Sequence, residues 1–389
     1  MSEIKVNSIK GVGASTAAIT VNNSDGTCTA NLSNRQGKNL IINGAMQVAQ
    51  RGTSYTGGGY ATVDRFYLDY AGLDEAPTQA QVDVASGTSP YTSGFRKAWK
   101  ITNGNQTGGA GAADVFYIIQ IIEAQNIAQS GWNYTSSSSN ITLSFWIKSS
   151  VAQTFKGHLK TDDGTAQIYH FETGSLTADT WTKITKTISG NSNLQFDNDN
   201  GAGLRLVIVP FAGTDFTASS ANENAWQAYS AGIFGGKDNT TTWYTTNDAT
   251  FEITGVQLEV GSVATDFAHE TYSDTFRKCQ RYFWRFGLVD SAWIFSGIIA
   301  GSSQQARCLA KFPVPMRANP TITFNDLVCD SEVSGSVETV NSVINTYFNS
   351  DFGGRVALGL AASSSASTGS PLNIYANSSS GYIQGDSEL

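Results

Sequence analysis

At 389 residues the chain is long enough for two or three domains. Its 24 basic and 32 acidic residues leave a net charge of −8, so no broad basic surface exists to neutralise a phosphate backbone, which argues against nucleic-acid binding. Charged residues make up only 14%, against about 25% in an average soluble protein; Gly, Ser, Thr and Asn fill the gap among β-branched and aromatic residues, a composition that predicts an all-β protein.

Residues 1–37 read apart from the rest. Ile4, Val6, Ile9 and Val12 alternate loosely with polar residues before a Gly, Ala, Ser, Thr and Asn stretch, too little apolar mass for a core. A segment of this kind borrows its partners from other chains, so it is read as an attachment or oligomerisation arm. The opening Met-Ser-Glu-Ile-Lys carries no apolar signal segment, and no apolar run approaches the ~20 residues of a membrane helix. The expectation is a product made in a cytosol, without membrane insertion.

From Lys38 to about Glu270 the spacing predicts short strands over 39–43, 64–70, 79–85, 98–102, 141–148, 167–172, 181–189, 204–210 and 250–260. Ile141, Leu143, Phe145 and Ile147 fall on one face and Thr142, Ser144 and Trp146 on the other, as a strand buried on one side requires. One helix is expected around 119–128, where apolar residues recur at helical spacing. Many short antiparallel strands with one minor helix describe a jelly-roll β-sandwich over 38–270.

At 272–286 the texture turns dense in charge and aromatic residues, and a boundary is placed here. The cations Arg277, Lys278, Arg281 and Arg285 read as an anionic-ligand patch or, better, as a helix-like or strand connector whose stems cover a junction and whose heads meet carboxylates. Strand-like stretches follow at 292–299, 306–312, 321–325, 340–348 and 355–362, so 276–389 is read as a smaller C-terminal β domain. The Ser-rich tract 363–370 reads as a linker or a hairpin loop.

Three passages carry a resemblance. Asn39-Leu-Ile-Ile-Asn-Gly-Ala-Met-Gln-Val-Ala-Gln-Arg-Gly52 followed by 60–66, the stretches 141–149 and 250–267, and Cys279-Gln-Arg-Tyr-Phe283 with the later 312–320 resemble, in that order, tail-fibre and related virion proteins of tailed bacteriophages. The resemblance spans roughly 38–325. It implies a structural virion protein, not an enzyme, with a jelly roll similar to carbohydrate-binding modules: a homotrimeric tail fibre, docked on other tail or head proteins through its N-terminal arm and meeting host-surface glycan with its β domains. Made in the host cytoplasm, it would reside in the virion. The alternatives are a capsid decoration or head-fibre protein without receptor binding, and a glycan-cleaving tailspike.

The residues offer little catalytic machinery. The three histidines, His158, His170 and His269, lie in no hydrolase or metalloprotease motif, and His158 and His170 are read as polar surface or satisfied core residues. Glu123, Glu172, Glu223 and Glu252 are the carboxylates to weigh for glycoside cleavage. Sugar binding needs an aromatic face and nearby amides, and Trp132, Tyr134, Trp226, Tyr229, Trp243 and Tyr244 are the candidates, each on a loop beside Asn, Gln or Thr. Trp146 and Trp181 read as packing residues. No cofactor motif is present; calcium is the candidate ion, with Asp197 and Asp199 as its carboxylates, though Asp-Asn-Asp-Asn-Gly is equally a natural turn. Cys28, Cys279, Cys308 and Cys329 are read as free or buried thiols, with a Cys308–Cys329 bridge as the alternative.

Overall fold

A computed structural model of the chain describes residues 6–10, 12, 19–21, 28–30, 38–301, 304–331, 336–350, 353–361 and 367–389. Two six-stranded antiparallel sheets face each other as a jelly-roll sandwich. The first runs Trp226–Ala228, Gln167–Ser175, Thr154–Thr161, Ala202–Ala212, Val115–Glu123, Tyr67–Ala71. The second runs Thr182–Ser189, Asn140–Ser149, Thr250–Val260, Lys97–Thr102, Thr78–Asp83, Ser54–Thr56. Alternation explains most of it: Ile141, Leu143, Phe145 and Ile147 point into the core with Ile184, Ile188, Phe251 and Ile253, all buried.

Two sequence expectations fail here. Residues 39–43 form no strand but a tight turn, held where Asn43 donates from Nδ2 to the carbonyls of Val48 and Asp64. Residues 119–123 are not helical; they belong to the strand Val115–Glu123, and helix is confined to Ala124–Ala128. Every residue of that strand is buried. Its inner face packs in the sandwich while Val115, Tyr117, Ile119 and Ile121 are covered from outside by Phe216, Phe234 and Leu389. A strand apolar on both faces loses its alternation, so its run reads as a helix.

Past the sandwich, Tyr272–Gln280 is a helix. Thr271 caps it by accepting a hydrogen bond from the Asp274 amide, Asp274 sits in the first turn, and Arg277 and Lys278 in the last complement the backbone dipole. A six-stranded closed barrel follows, in the order Trp293–Ala300, Gln305–Lys311, Gly353–Leu360, Ser336–Ser350, Leu327–Ser331, Pro371–Ala376. Closure leaves it no free edge, and Ile299, Leu358, Leu372 and Ile374 fill its interior. Cys308 and Cys329 are free thiols in that core, not a bridge, and burial pushes Cys308 to about 12 and Cys329 to about 11, so both stay protonated and inert. Cys279 is also free and buried, whereas the side chain of Cys28 lies outside the described residues. Of the Ser-rich tract, 363–366 lie outside them as well.

A third sheet of three strands, Phe283–Gly287, Tyr382–Asp386 and Thr321–Asn325, sits beside the barrel and carries the chain's last residues back to the sandwich. There Glu388 meets Arg65 and lies 3.4 Å from Arg51, while Asp386 pairs with Arg51 at 2.8 Å. Arg281 takes Glu123 with both Nε and Nη2, at 2.7 and 2.8 Å, and the Tyr282 hydroxyl donates to the same carboxylate at 2.5 Å. Of the cation run, Lys278 pairs with Glu270, and Arg281 is thus engaged at the contact of sandwich and barrel. Arg285 joins it, bonding Gln384 and the Arg51 carbonyl.

Most of residues 1–37 lies outside the described residues. Within them, Ser8–Ile9, Ile19–Val21 and Cys28–Ala30 form a three-stranded antiparallel sheet, and Val6 and Ile9 are exposed.

Candidate functional site

Of the loop aromatics singled out above, Trp132, Trp243 and Tyr244 are buried, and Tyr134, Trp226 and Tyr229 are half-buried. Trp243 and Tyr244 are wholly buried: Trp243 donates from Nε1 to the Thr250 carbonyl and meets Phe116 edge-on, while Tyr244 stacks on Phe211 and donates to Asp114. Trp132 is buried beside Phe196 and Tyr134. Trp226 and Tyr229 are half-buried with their faces engaged, Trp226 on Tyr169 and bonded to the Ser189 carbonyl, Tyr229 under the Lys160 ammonium. The reason is desolvation: a large ring beside a loop is covered by its own sandwich when a backbone carbonyl is in reach of its N–H or O–H.

Asp197 and Asp199 are corrected in the same way. Asp199 accepts from the Gly201 amide at 2.9 Å, and the Asp197 amide donates to Asp163 at 3.0 Å. These are the local bonds of a turn. No group of three or more His, Cys, Asp or Glu side chains that could hold a metal ion occurs among the described residues.

The carboxylates weighed for catalysis each lie beside a cation. Lys156 bridges Glu172 and Glu223, the latter at 3.0 Å, and Glu252 lies 3.0 Å from Lys148. Burial raises Glu123, but the bonds from Arg281 and Tyr282 outweigh it and hold the carboxyl below its ordinary range; Glu223 is held down likewise, by Lys156. A general acid for glycoside cleavage needs the opposite shift.

His158 and His170 face each other across neighbouring strands, ring centroids 5.5 Å apart, both buried. They are core residues, yet not satisfied ones: none of their four ring nitrogens has a partner, nor has the buried Tyr117 hydroxyl. Phe234 closes over them, 4.6 Å from His158 and 4.9 Å from Tyr117. Burial first, then Lys156, pushes His170 down to about 4; burial first, then His170, Lys160 and Arg205, pushes His158 well below its ordinary value.

On the outer face of the second sheet Lys100 and Lys148 are half-buried, while Glu252 and Thr254 are buried. Register places Lys100, Glu252 and Lys148 in one row across three strands, and Lys183, Trp146 and Thr254 in the next. Trp181 lies just before the strand Thr182–Ser189, its ring 5.2 Å from the Lys148 ammonium. Trp146 and Trp181 are half-buried, packed against the cluster of Ala45, Val84, Phe95 and Ala98. Their indole N–H groups have no partner among the described residues. Two half-open rings flanking a Lys–Glu–Lys row supply apolar faces for a sugar ring and charged heads for its hydroxyls. The reading of both tryptophans as packing residues agrees with their contact with the Phe95 cluster.

No protein-family model matches the sequence, and no curated protein does. Among solved structures, the enzymatically active domain of tailspike protein 4 from bacteriophage CBA120 is 9% identical, with a TM-score of 0.28 over 58% of this chain and 22% of that one. The CBM22-1 xylan-binding domain from Paenibacillus barcinonensis is 9% identical, with a TM-score of 0.27 over 59% and 99%. A family 11 carbohydrate-binding module from Clostridium thermocellum is 9% identical, with a TM-score of 0.26 over 54% and 97%. Likeness at this level assigns no function.

Proposed function

We propose that this protein is a non-enzymatic structural component of a tailed-phage virion, a fibre whose jelly roll contacts host-surface glycan. The glycan part is carried by one observation: Trp146 and Trp181 stand half-open beside Lys148, Glu252 and Lys100 on the outer face of the second sheet. The virion part is supported by the ordered sequence resemblance and by exposed apolar residues in the N-terminal arm, Val6 and Ile9, which suit docking on another protein. A homotrimer is the assembly that the resemblance implies. Absence of catalysis is supported by the cation beside each weighed carboxylate.

The test is a panel of cell-surface saccharides titrated into the full chain and into Trp181→Ala and Trp146→Ala, with circular dichroism as a check of folding. Losing one stacked ring is expected to weaken binding about tenfold. Folded variants that bind every saccharide as tightly as the parent would remove the site from this face.

A further inference from the structure

Three cations share one face of the barrel without an ion pair among the described residues, and Arg307 has only a 3.4 Å hydrogen bond from Nη2 to Gln305. Register puts Leu309, Arg355 and Tyr347 side by side across the strands Gln305–Lys311, Gly353–Leu360 and Ser336–Ser350. The next row is Ile298, Arg307, Ala357 and Asn345. Val356, Leu358, Ala306 and Cys308 belong to the barrel core, so by alternation these rows face outward. Lys311, two residues beyond Leu309, shares their face and is exposed.

Leu309 is 64% exposed, Tyr347 51% and Ile298 47%, so the face is apolar and open. The Arg355 guanidinium lies 4.0 Å over the Tyr347 ring, which fixes its plane. The Nε atoms of Arg307 and Arg355 are closed off from water and lack a hydrogen-bond partner. Among the described residues, Arg307, Lys311 and Arg355 have no ion pair. Carboxylates are not scarce, since the chain has 32 acidic residues to 24 basic ones, yet the strands Trp293–Ala300, Gln305–Lys311 and Gly353–Leu360 contain none. Arg307 and Arg355 are diagonal neighbours, roughly 7–8 Å apart at the backbone. Two like charges held that close and uncompensated favour an anionic partner.

We propose that this barrel face binds a carboxylate-bearing polysaccharide, a polymer of uronic-acid type. A guanidinium meets a carboxylate through two parallel N–H donors, and Tyr347 with Leu309 offers an apolar surface to the sugar ring between successive charges. The inference deepens the glycan-contact reading above and rests on it, but it uses a different face and a different chemistry.

The experiment is affinity electrophoresis and titration of the full chain against polygalacturonate and against the same polymer fully methyl-esterified. Parent protein, Arg307→Gln/Arg355→Gln, Tyr347→Ala and Trp181→Ala are compared, each checked by circular dichroism and light scattering. The expected result is binding of the acid polymer alone, weakened by salt and about tenfold weaker in the double variant. Equal binding of acid and ester overturns the assignment. So does loss in Trp181→Ala with none in the double variant, which moves the site to the sandwich and leaves the broader glycan reading standing. If the double variant instead lowers the molecular mass of an assembly that forms without saccharide, the face is an interface between copies and the assignment is again overturned. Binding of no saccharide, acidic or neutral, removes both readings together.

Discussion

The histidine pair is the residue-scale feature whose energetics can be read most directly. Unfolded, each imidazole titrates near its ordinary value of 6.5; folded, His170 is held at about 4 and His158 well below its ordinary value. Between those limits the unfolded chain binds more protons, so stability is complete above about pH 6.5 and is lost as pH falls toward 4. Around the pair stand Lys156 and Lys160 on the strand of His158, Arg205 beside it, and the Glu172 and Glu223 carboxylates already bound by Lys156. Asp64, which burial raises to about 6, works in the opposite sense, because the folded state takes up its proton first on acidification. Asp69 and Asp163, also raised by burial, act with Asp64, while Glu123, Glu223 and Asp326, held down by their partners, act with the histidines. A melting temperature that falls between pH 7 and pH 4.5, with the fall reduced in His170→Phe, is the expected outcome; parallel profiles for parent and variant would show that the pair stays neutral for another reason.

At the scale of elements, two glycines show how neighbouring strands are locked by an aromatic ring. Gly157 pairs with Phe171 in the sandwich, and a Cβ added there would stand 2.5 Å from the phenyl ring. Gly385 pairs with Trp284 beside the barrel, with the same Cβ 2.6 Å from the indole. In both, the ring lies across the neighbouring strand because no side chain occupies the position. Gly385→Val should displace the buried Trp284, at a cost of about 1–3 kcal/mol in urea unfolding. Trp284 fluorescence should shift to the red, and an unchanged midpoint would mean that the strand yields without strain. Element identity itself was legible wherever one face is dry and the other wet, as in Asn140–Ser149 or Thr250–Val260. It failed at Val115–Glu123 and passed over Thr154–Thr161, which are buried on both faces over much of their length.

At the scale of the whole molecule, sandwich and barrel are joined by charges buried at their contact. Arg65 is almost wholly buried; burial lowers it, yet the adjacent Glu388 more than offsets this and keeps it charged. Removing one member leaves the other an uncompensated buried ion, so Glu388→Ala is expected to cost about 3–5 kcal/mol. Because the pair ties two separate cores, the loss should also split a single thermal transition into two by calorimetry and speed cleavage between 261 and 271 by protease. Glu123→Gln, which weakens the bidentate grip of Arg281, should act the same way and less severely. One intact transition in Glu388→Ala would mean that apolar contact alone holds the two together.

Composition and period-two patterning were enough to define an all-β chain with a jelly-roll sandwich, since side-chain alternation follows from backbone geometry alone. The connector helix was half-legible in its cations Arg277 and Lys278, which read as a helix-like or strand connector; its Thr271 cap emerged only in the structure. Which loop aromatics would be buried was not legible. Trp243 and Tyr244 look like binding residues in a loop yet are buried, whereas Trp146, read as packing in a strand, does pack against the cluster around Phe95. The fate of the charges was equally hidden: Arg281 and Glu123 are 158 residues apart in sequence, and only the folded chain spends one and leaves Arg307 and Arg355 unpaired. The sequence alone determined the elements, because they arise from neighbours along the backbone; the tertiary structure decided exposure and pairing, because those depend on residues that the fold brings together.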